Sequence, residues 1–213
     1  MLLRIFLMLL LSVIIFSLPV YYFWYKPKFT PTSKAYVNPI EDLSPEFTRL
    51  KMKALTIKEF AAAHNLNSEI CFLVDMSIES GKNRFFVYDV QVDSVMTSGL
   101  VAHGSCDDGY QFNARFSNVA NSGCSCLGKF RIGKAYNGNF GLAYKLYGLD
   151  SSNSNAFKRN IVLHSYNCVP EQETFPIPVC NSRGCPMISP GFMKQLRSII
   201  SLEKKPLVLL IFH

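Results

Sequence analysis

A run of twenty residues near the start of the chain limits what the rest can be. From Ile5 to Trp24 the sequence is apolar except for Ser12, Ser17 and Pro19. As a helix rising about 1.5 Å per residue, such a run spans roughly the 30 Å hydrocarbon core of a bilayer. No A-x-A cleavage pattern follows it, so an uncleaved signal anchor is the first reading and a cleaved signal the second. Tyr21, Tyr22, Phe23, Trp24 and Tyr25 close the run. Aromatic rings of this kind sit at the membrane–water interface. Arg4 and the amino terminus stand on one side, and Lys26, Lys28 and Lys34 on the other. The charge balance therefore does not orient the helix.

Pro27, Pro31 and Pro39, with Thr and Ser among them, give 26–43 the composition of an extended tether. The remainder, 44–213, is long enough for one domain with its own core. The net charge of +7 fits a solvated basic surface, or attraction to an anionic polymer or membrane. No Lys/Arg run is dense enough to argue for nucleic acid.

Ser44-Pro45-Glu46 has the makings of a helix start: an N-cap hydroxyl, Pro in the first turn, then an acid. Helical spacing of Phe47, Leu50, Met52, Leu55, Ile57, Phe60 and Ala61 carries it to about His64. From Ile70 the pattern becomes β-prone. Ile70–Ile78 and Arg84–Val92 flank Glu79-Ser80-Gly81-Lys82-Asn83 as a hairpin, and Val95–His103 is a further strand. Short apolar runs follow at Cys126–Ile132, Gly141–Tyr147 and Asn160–His164. A helix is expected over Gly191–Ile200 and a final buried strand over Leu207–Phe212. Seventeen Phe and ten Tyr agree with strands. The fold class is mostly β, with an N-terminal helical cap, a C-terminal helix and the N-terminal transmembrane helix.

The seven cysteines are Cys71, Cys106, Cys124, Cys126, Cys168, Cys180 and Cys185. An odd count fits one reactive thiol plus up to three disulfides, if the domain lies outside the cytoplasm. Cys168 and Cys180 are spaced to close a small loop, and the other pairings stay open. Cys124-Ser125-Cys126 lacks the matched C-x₂₋₄-C spacing of zinc sites, so disulfide halves or core thiols are favoured there. Cys168, Cys180, Cys185 and His164 would allow a zinc cluster on composition alone; no metal or cofactor is expected. Asp75, Asp89 and Asp150 read as solvated or turn-forming acids.

Asn181-Ser182-Arg183-Gly184-Cys185-Pro186 is the segment with chemistry in it. Small residues before the cysteine let a tight loop expose the thiol beside backbone N–H groups, as an oxyanion hole requires. A thiol needs a base, and His164 ends the strand Asn160-Ile161-Val162-Leu163. A papain-like arrangement is disfavoured, because that family usually places Cys before His.

A His, a spacer of some fifteen to twenty residues, then Ser-x-Gly-Cys is similar to the motif of the L,D-transpeptidase catalytic-domain family. The resemblance runs in order from about residue 45 to 195. It takes in Val74-Asp75-Met76-Ser77, Arg84 to Asp89, Val101-Ala102-His103-Gly104, Phe116-Ser117-Asn118, Cys126-Leu127-Gly128, Tyr136-Asn137-Gly138, Leu146 to Leu149 and Arg159 to His164. Two places depart from the family pattern: Arg183 stands where a His is usual, and Met187 where Asn or Arg is frequent.

The resemblance implies a β-sandwich or barrel with Cys185 as nucleophile and His164 as general base and acid. It makes the main-chain carbonyl of Ser165 the group that orients the imidazole. The amides of Arg183, Gly184 and Cys185 become oxyanion donors, with Ser182, His103 and Gly128 as substrate-groove candidates. The substrates implied are peptidoglycan stem peptides in a bacterial envelope, processed by L,D-transpeptidation or L,D-carboxypeptidation, with acylation by carbapenem-type β-lactams. A catalytically silent domain of the same fold, binding cell-wall peptide, is the competing class.

Overall fold

In the computed structural model, which describes residues 2–29 and 44–213, the apolar run is helical. Helix α1 covers Leu2–Pro19 and continues through a π-helical turn, Val20–Tyr25, and a 3-10 turn, Lys26–Phe29. The continuous stretch Arg4–Phe29 is long and apolar enough to cross a bilayer. Of the segment 26–43 read as a tether, 30–43 lies outside the described residues.

Helix α2, Pro45–Ala63, starts as its sequence dictates: Ser44 Oγ accepts from the Phe47 amide at 3.2 Å. It buries Leu50, Ala54, Ile57 and Ala61, one stripe at helical spacing. That stripe lies against one face of the first strands. The strands are β1 (Ile70–Asp75), β2 (Phe85–Asp89), β3 (Ser94–Gly99), β4 (Val101–Ala102), β5 (Gly128–Gly138), β6 (Gly141–Gly148), β7 (Val162–Ser165), β8 (Met187–Ile188) and β9 (Val208–Phe212). Cys71, Leu73, Phe86, Tyr88 and Val208 face α2. The alternate residues Phe72, Val74, Phe85, Val87, Leu209 and Ile211 face the main core. There they meet Phe192, Met193 and Leu196 of helix α3, Pro190–Leu202.

The nine strands form one sheet in the order β3-β2-β1-β9-β5-β6-β7-β8-β4. The C-terminal strand β9 thus lies inside the sheet, parallel to β1 and antiparallel to β5. The two outermost strands, β3 and β4, are consecutive in the chain and separated by Leu100 alone. The expected strand Val95–His103 is therefore split: its first half pairs with β2 and its second with β8. The sheet curls into a nearly closed barrel and this segment is its seam. Arg84, 1% exposed, fills the seam. Its guanidinium donates twice to the Val101 carbonyl, at 3.0 and 2.7 Å, and once to Ile78 O at 3.1 Å.

The hairpin expected from Ile70 forms as β1 and β2, paired Ile70↔Asp89 to Val74↔Phe85. Among the acids, Asp89 and Asp150 accept turn and strand amides. Asp75 is turn-forming but not solvated: it is fully buried, and Arg49 reaches it at 2.6 Å.

Candidate active site

Strand β7 places the histidine. Ala143↔His164 on one side and His164↔Met187 on the other fix it in the sheet by backbone pairing. Leu163 points into the core, so its neighbour His164 points out of the opposite face, 5% exposed. Its Nδ1 lies 3.2 Å from the Ser165 carbonyl. With Nδ1–H donating there, Nε2 carries the lone pair. Phe140, at the tip of the β5–β6 hairpin, stacks on the ring at 4.9 Å with 20° between planes, and itself meets Tyr166 edge-on.

The segment before β8 places the cysteine. Ser182 N donates to His103 O at 2.8 Å and Ser105 N to Ser182 O at 2.9 Å, tying this loop to the chain beyond β4. Gly184 has φ +109°, and a Cβ there would lie 2.7 Å from the Cys124 carbonyl, so only glycine fits. Ser125 Oγ joins Gly104 N, at 3.0 Å, to Gly184 O, at 3.2 Å. Two disulfides brace the arrangement, Cys106–Cys124 behind the loop and Cys168–Cys180 beside it. Cys168 and Cys180, open to metal binding on composition, are thus bonded to each other. Cys71, Cys126 and Cys185 are free thiols, the first two buried.

Cys185, His164, Ser182, Arg183, Phe140 and Tyr166 line one cavity of about 380 Å³, with Cys168, Asn181 and Met187. The structure therefore brings Cys185, His164, Ser165 and Ser182 together. The Cys185 thiol hydrogen bonds to the Asn160 carbonyl at 3.7 Å; among the described residues it makes no such bond to the imidazole. Burial pushes the thiol above its ordinary range, against a backbone hydrogen bond and the cations of Arg159 and Lys145. Burial also pulls His164 below its ordinary value, against the Ser165 hydrogen bond. Both shifts favour the neutral form of the group.

Three sequence expectations change. Gly184 N donates to Ser182 Oγ at 3.1 Å, so its hydrogen is taken. Among the described residues, the amides of Arg183 and Cys185 have no acceptor within the protein. Of the three amides expected as oxyanion donors, two are thus left without an acceptor and one is not. His103 does not line the groove: it is fully buried, with Arg84 at 2.9 Å from Nδ1 and Gln111 O at 3.2 Å from Nε2. Gly128 lies outside the cavity lining. Its φ is +114°, and Asp150, Ser152 and Asn153 hem it to within 2.8 Å of where a Cβ would stand. The glycine serves that turn.

Sequence reasoning missed Phe140 and Tyr166, which sit in turn-rich stretches without periodicity. It also missed the work of Arg159. That guanidinium holds Ser117 O at 2.6 Å and Cys124 O at 2.6 Å, behind the Cys185 loop. Its place in the run Arg159–His164 was a usable signal.

The family model described as the L,D-transpeptidase catalytic domain matches residues 41–211. Among solved structures, the helical cell shape determining protein Pgp2 from Campylobacter jejuni is 11% identical with a TM-score of 0.41. That match covers 67% of this chain and 46% of Pgp2, so the chain spans under half the length of that protein. An L,D-transpeptidase from Xylanimonas cellulosilytica DSM 15894 is 11% identical with a TM-score of 0.38, covering 86% of this chain and all of the other. No curated protein matches significantly.

Proposed function

Because the chain belongs to the L,D-transpeptidase catalytic-domain family, we propose that it transfers acyl groups on peptidoglycan stem peptides, with Cys185 as nucleophile. The observation that carries this is the shared cavity of Cys185 and His164, with the imidazole held through Nδ1 by Ser165 O.

In the proposed cycle the thiol leaves Asn160 O and gives its proton to His164 Nε2. The thiolate attacks the carbonyl of the third, diamino-acid residue of a tetrapeptide stem. The oxyanion takes the free amides of Arg183 and Cys185 as donors. Collapse breaks the bond to the terminal D-alanine, whose nitrogen recovers the proton from His164. The thioester then passes to an amine of a second stem, or to water, with His164 removing the proton of the attacking group. Met187 lies 5% exposed beneath the cavity, so the polar contact frequent at that place in the family is replaced by packing. The side chain of Arg183 is 85% exposed and faces Asp107 at 3.4 Å. It contributes its amide rather than its charge.

The compartment follows from the same reading. Two disulfides suit an oxidising space, and Arg4–Phe29 serves as an uncleaved anchor with the domain outside the cytoplasm.

The test uses the full chain in detergent, incubated with tetrapeptide stems and, separately, with a carbapenem. Intact mass is expected to show an adduct on the wild type, with D-alanine released from the stems. Cys185→Ala is expected to show neither while keeping its thermal transition. If the wild type and Cys185→Ala behave alike, the enzymatic reading fails and the silent peptide-binding domain takes its place.

A further inference from the structure

Among the described residues, the turn after the apolar helix is hydrogen bonded to the domain through Lys28. The carbonyl of Lys28 accepts from the amides of Glu171 and Gln172, and Lys28 Nζ donates to Glu173 O. These three residues belong to the loop closed by the Cys168–Cys180 disulfide. The same loop carries Phe175 and Ile177, each 46% exposed. Ile177 lines a cavity whose other walls include Val20, Tyr21, Trp24 and Tyr25 of the helix. Phe175 borders a second cavity, of about 280 Å³, with Phe112, which is 69% exposed.

Single exposed apolar side chains are ordinary on a protein surface. Here Ile177 adjoins the aromatic belt, Phe175 lies two residues before it and Phe112 shares a cavity with Phe175, and the backbone of the loop is held firmly. Thr174 N and Phe175 N both donate to Gly81 O, at 2.8 and 3.0 Å. A Cβ on Gly81 would lie 2.3 Å from Ile177 O, so hairpin and loop are in direct backbone contact. Lys82 Nζ sits 4.2 Å over the Phe175 ring. Two rings and an aliphatic side chain next to the belt Tyr21–Tyr25, with Lys26, Lys28 and Lys82 nearby, match the chemistry of the headgroup layer.

We propose that the edge formed by Phe112, Phe175 and Ile177 rests in the headgroup layer of the bilayer that the N-terminal helix crosses. The domain then lies on the membrane by two contacts, the helix and this edge. The disulfide-closed loop links that edge to the active-site cavity, because Cys168 lines the cavity at the loop's other end. The inference rests on the signal-anchor reading, and the experiment separates the two.

Trp24 is the single tryptophan of the chain, so the wild type reports on the helix. The full chain is reconstituted in phosphatidylethanolamine–phosphatidylglycerol vesicles containing lipid brominated high on its acyl chains. Two further proteins carry Trp24→Phe with either Phe175→Trp or Phe112→Trp. A control carries Trp24→Phe with Leu202→Trp, 80% exposed at the far end of α3, whose first turn is beside Glu171. At about 1.5 Å per residue that end lies roughly 18 Å away. The expected result is at least twofold quenching at positions 24, 175 and 112, and none at 202. Quenching at 24 with positions 175 and 112 no more quenched than 202 overturns the docked edge and leaves the anchor standing. No quenching at 24 overturns the anchor, and the docked edge with it.

Discussion

At the scale of single residues, two buried histidines set how the protein meets acid. His103 is held neutral, pushed down to about 4 by burial and by the Arg84 guanidinium beside it. In the unfolded chain an imidazole titrates near 6.5. Between these values the unfolded state binds the extra proton, so stability is full above about pH 6.5 and falls as pH drops toward 4. From pH 7.5 to 5 the loss due to His103 is about 2 kcal/mol. Urea titrations at pH 7.5 and 5 are expected to show it. His103→Gln should lose less over that interval, whatever its stability at pH 7.5; an equal loss in both proteins refutes the assignment. In the proposed cycle His164 acts on rate. Its value is lowered and that of Cys185 raised, so the competent resting form is thiol beside neutral imidazole. The acid limb of kcat/KM is expected below about pH 6.5. An acid limb near the ordinary thiol range, at about pH 8.5, would mean instead that a preformed thiolate is the reactive species.

These residues were unequally legible. Cys185, His164 and the role sketched for Ser165 came from the motif, because it encodes chain order and spacing along one strand and one loop. The occupied amide of Gly184 did not, since it depends on where the Ser182 hydroxyl turns. His103 sits in a recognisable His-Gly pair, yet its burial follows from Arg84, nineteen residues earlier in the chain.

Among the elements, the clearest sequence signals formed where expected. The Ser44 cap opens α2, the Ile70 hairpin is β1 and β2, and the terminal apolar run is β9. The β5–β6 hairpin was only half visible. Strand β5 reaches Gly138 rather than ending near Ile132, because Lys134, Tyr136 and Asn137 leave the core and lose the apolar pattern that marks a strand. Strand β8 has two residues, too few to show any period. That unseen outer half of β5 leads to Phe140, which it holds over His164. Phe140 is 57% exposed, so Phe140→Ala should change stability by less than about 1 kcal/mol. It removes part of what shields the imidazole from water, so the acid limb of kcat/KM is expected to move up toward pH 6.5. An unmoved limb would show that the hairpin tip does not tune the base.

For the whole molecule, the two disulfides close loops of sequence separation 18 and 12 that brace the Cys185 loop. Loop-closure entropy assigns each about 3 kcal/mol. Cys106→Ala/Cys124→Ala and Cys168→Ala/Cys180→Ala are each expected to lower the urea midpoint by a comparable step. Reduction of the wild type should lower it by more than either pair alone. Two equal midpoints, before and after reduction, would show that the bridges do not support the fold.

The seam between β3 and β4 has a colloidal consequence. An open sheet ends in strands whose free N–H and C=O groups can recruit a neighbouring molecule. Here the sheet begins and ends in one stretch of chain, and the carbonyl of Val101 is already saturated by Arg84. On the β4 side a chain crowded among its own copies therefore offers them little template for edge-to-edge growth, since that strand has two residues and one of its carbonyls is taken. Loss of the Arg84 guanidinium would free that carbonyl at the seam.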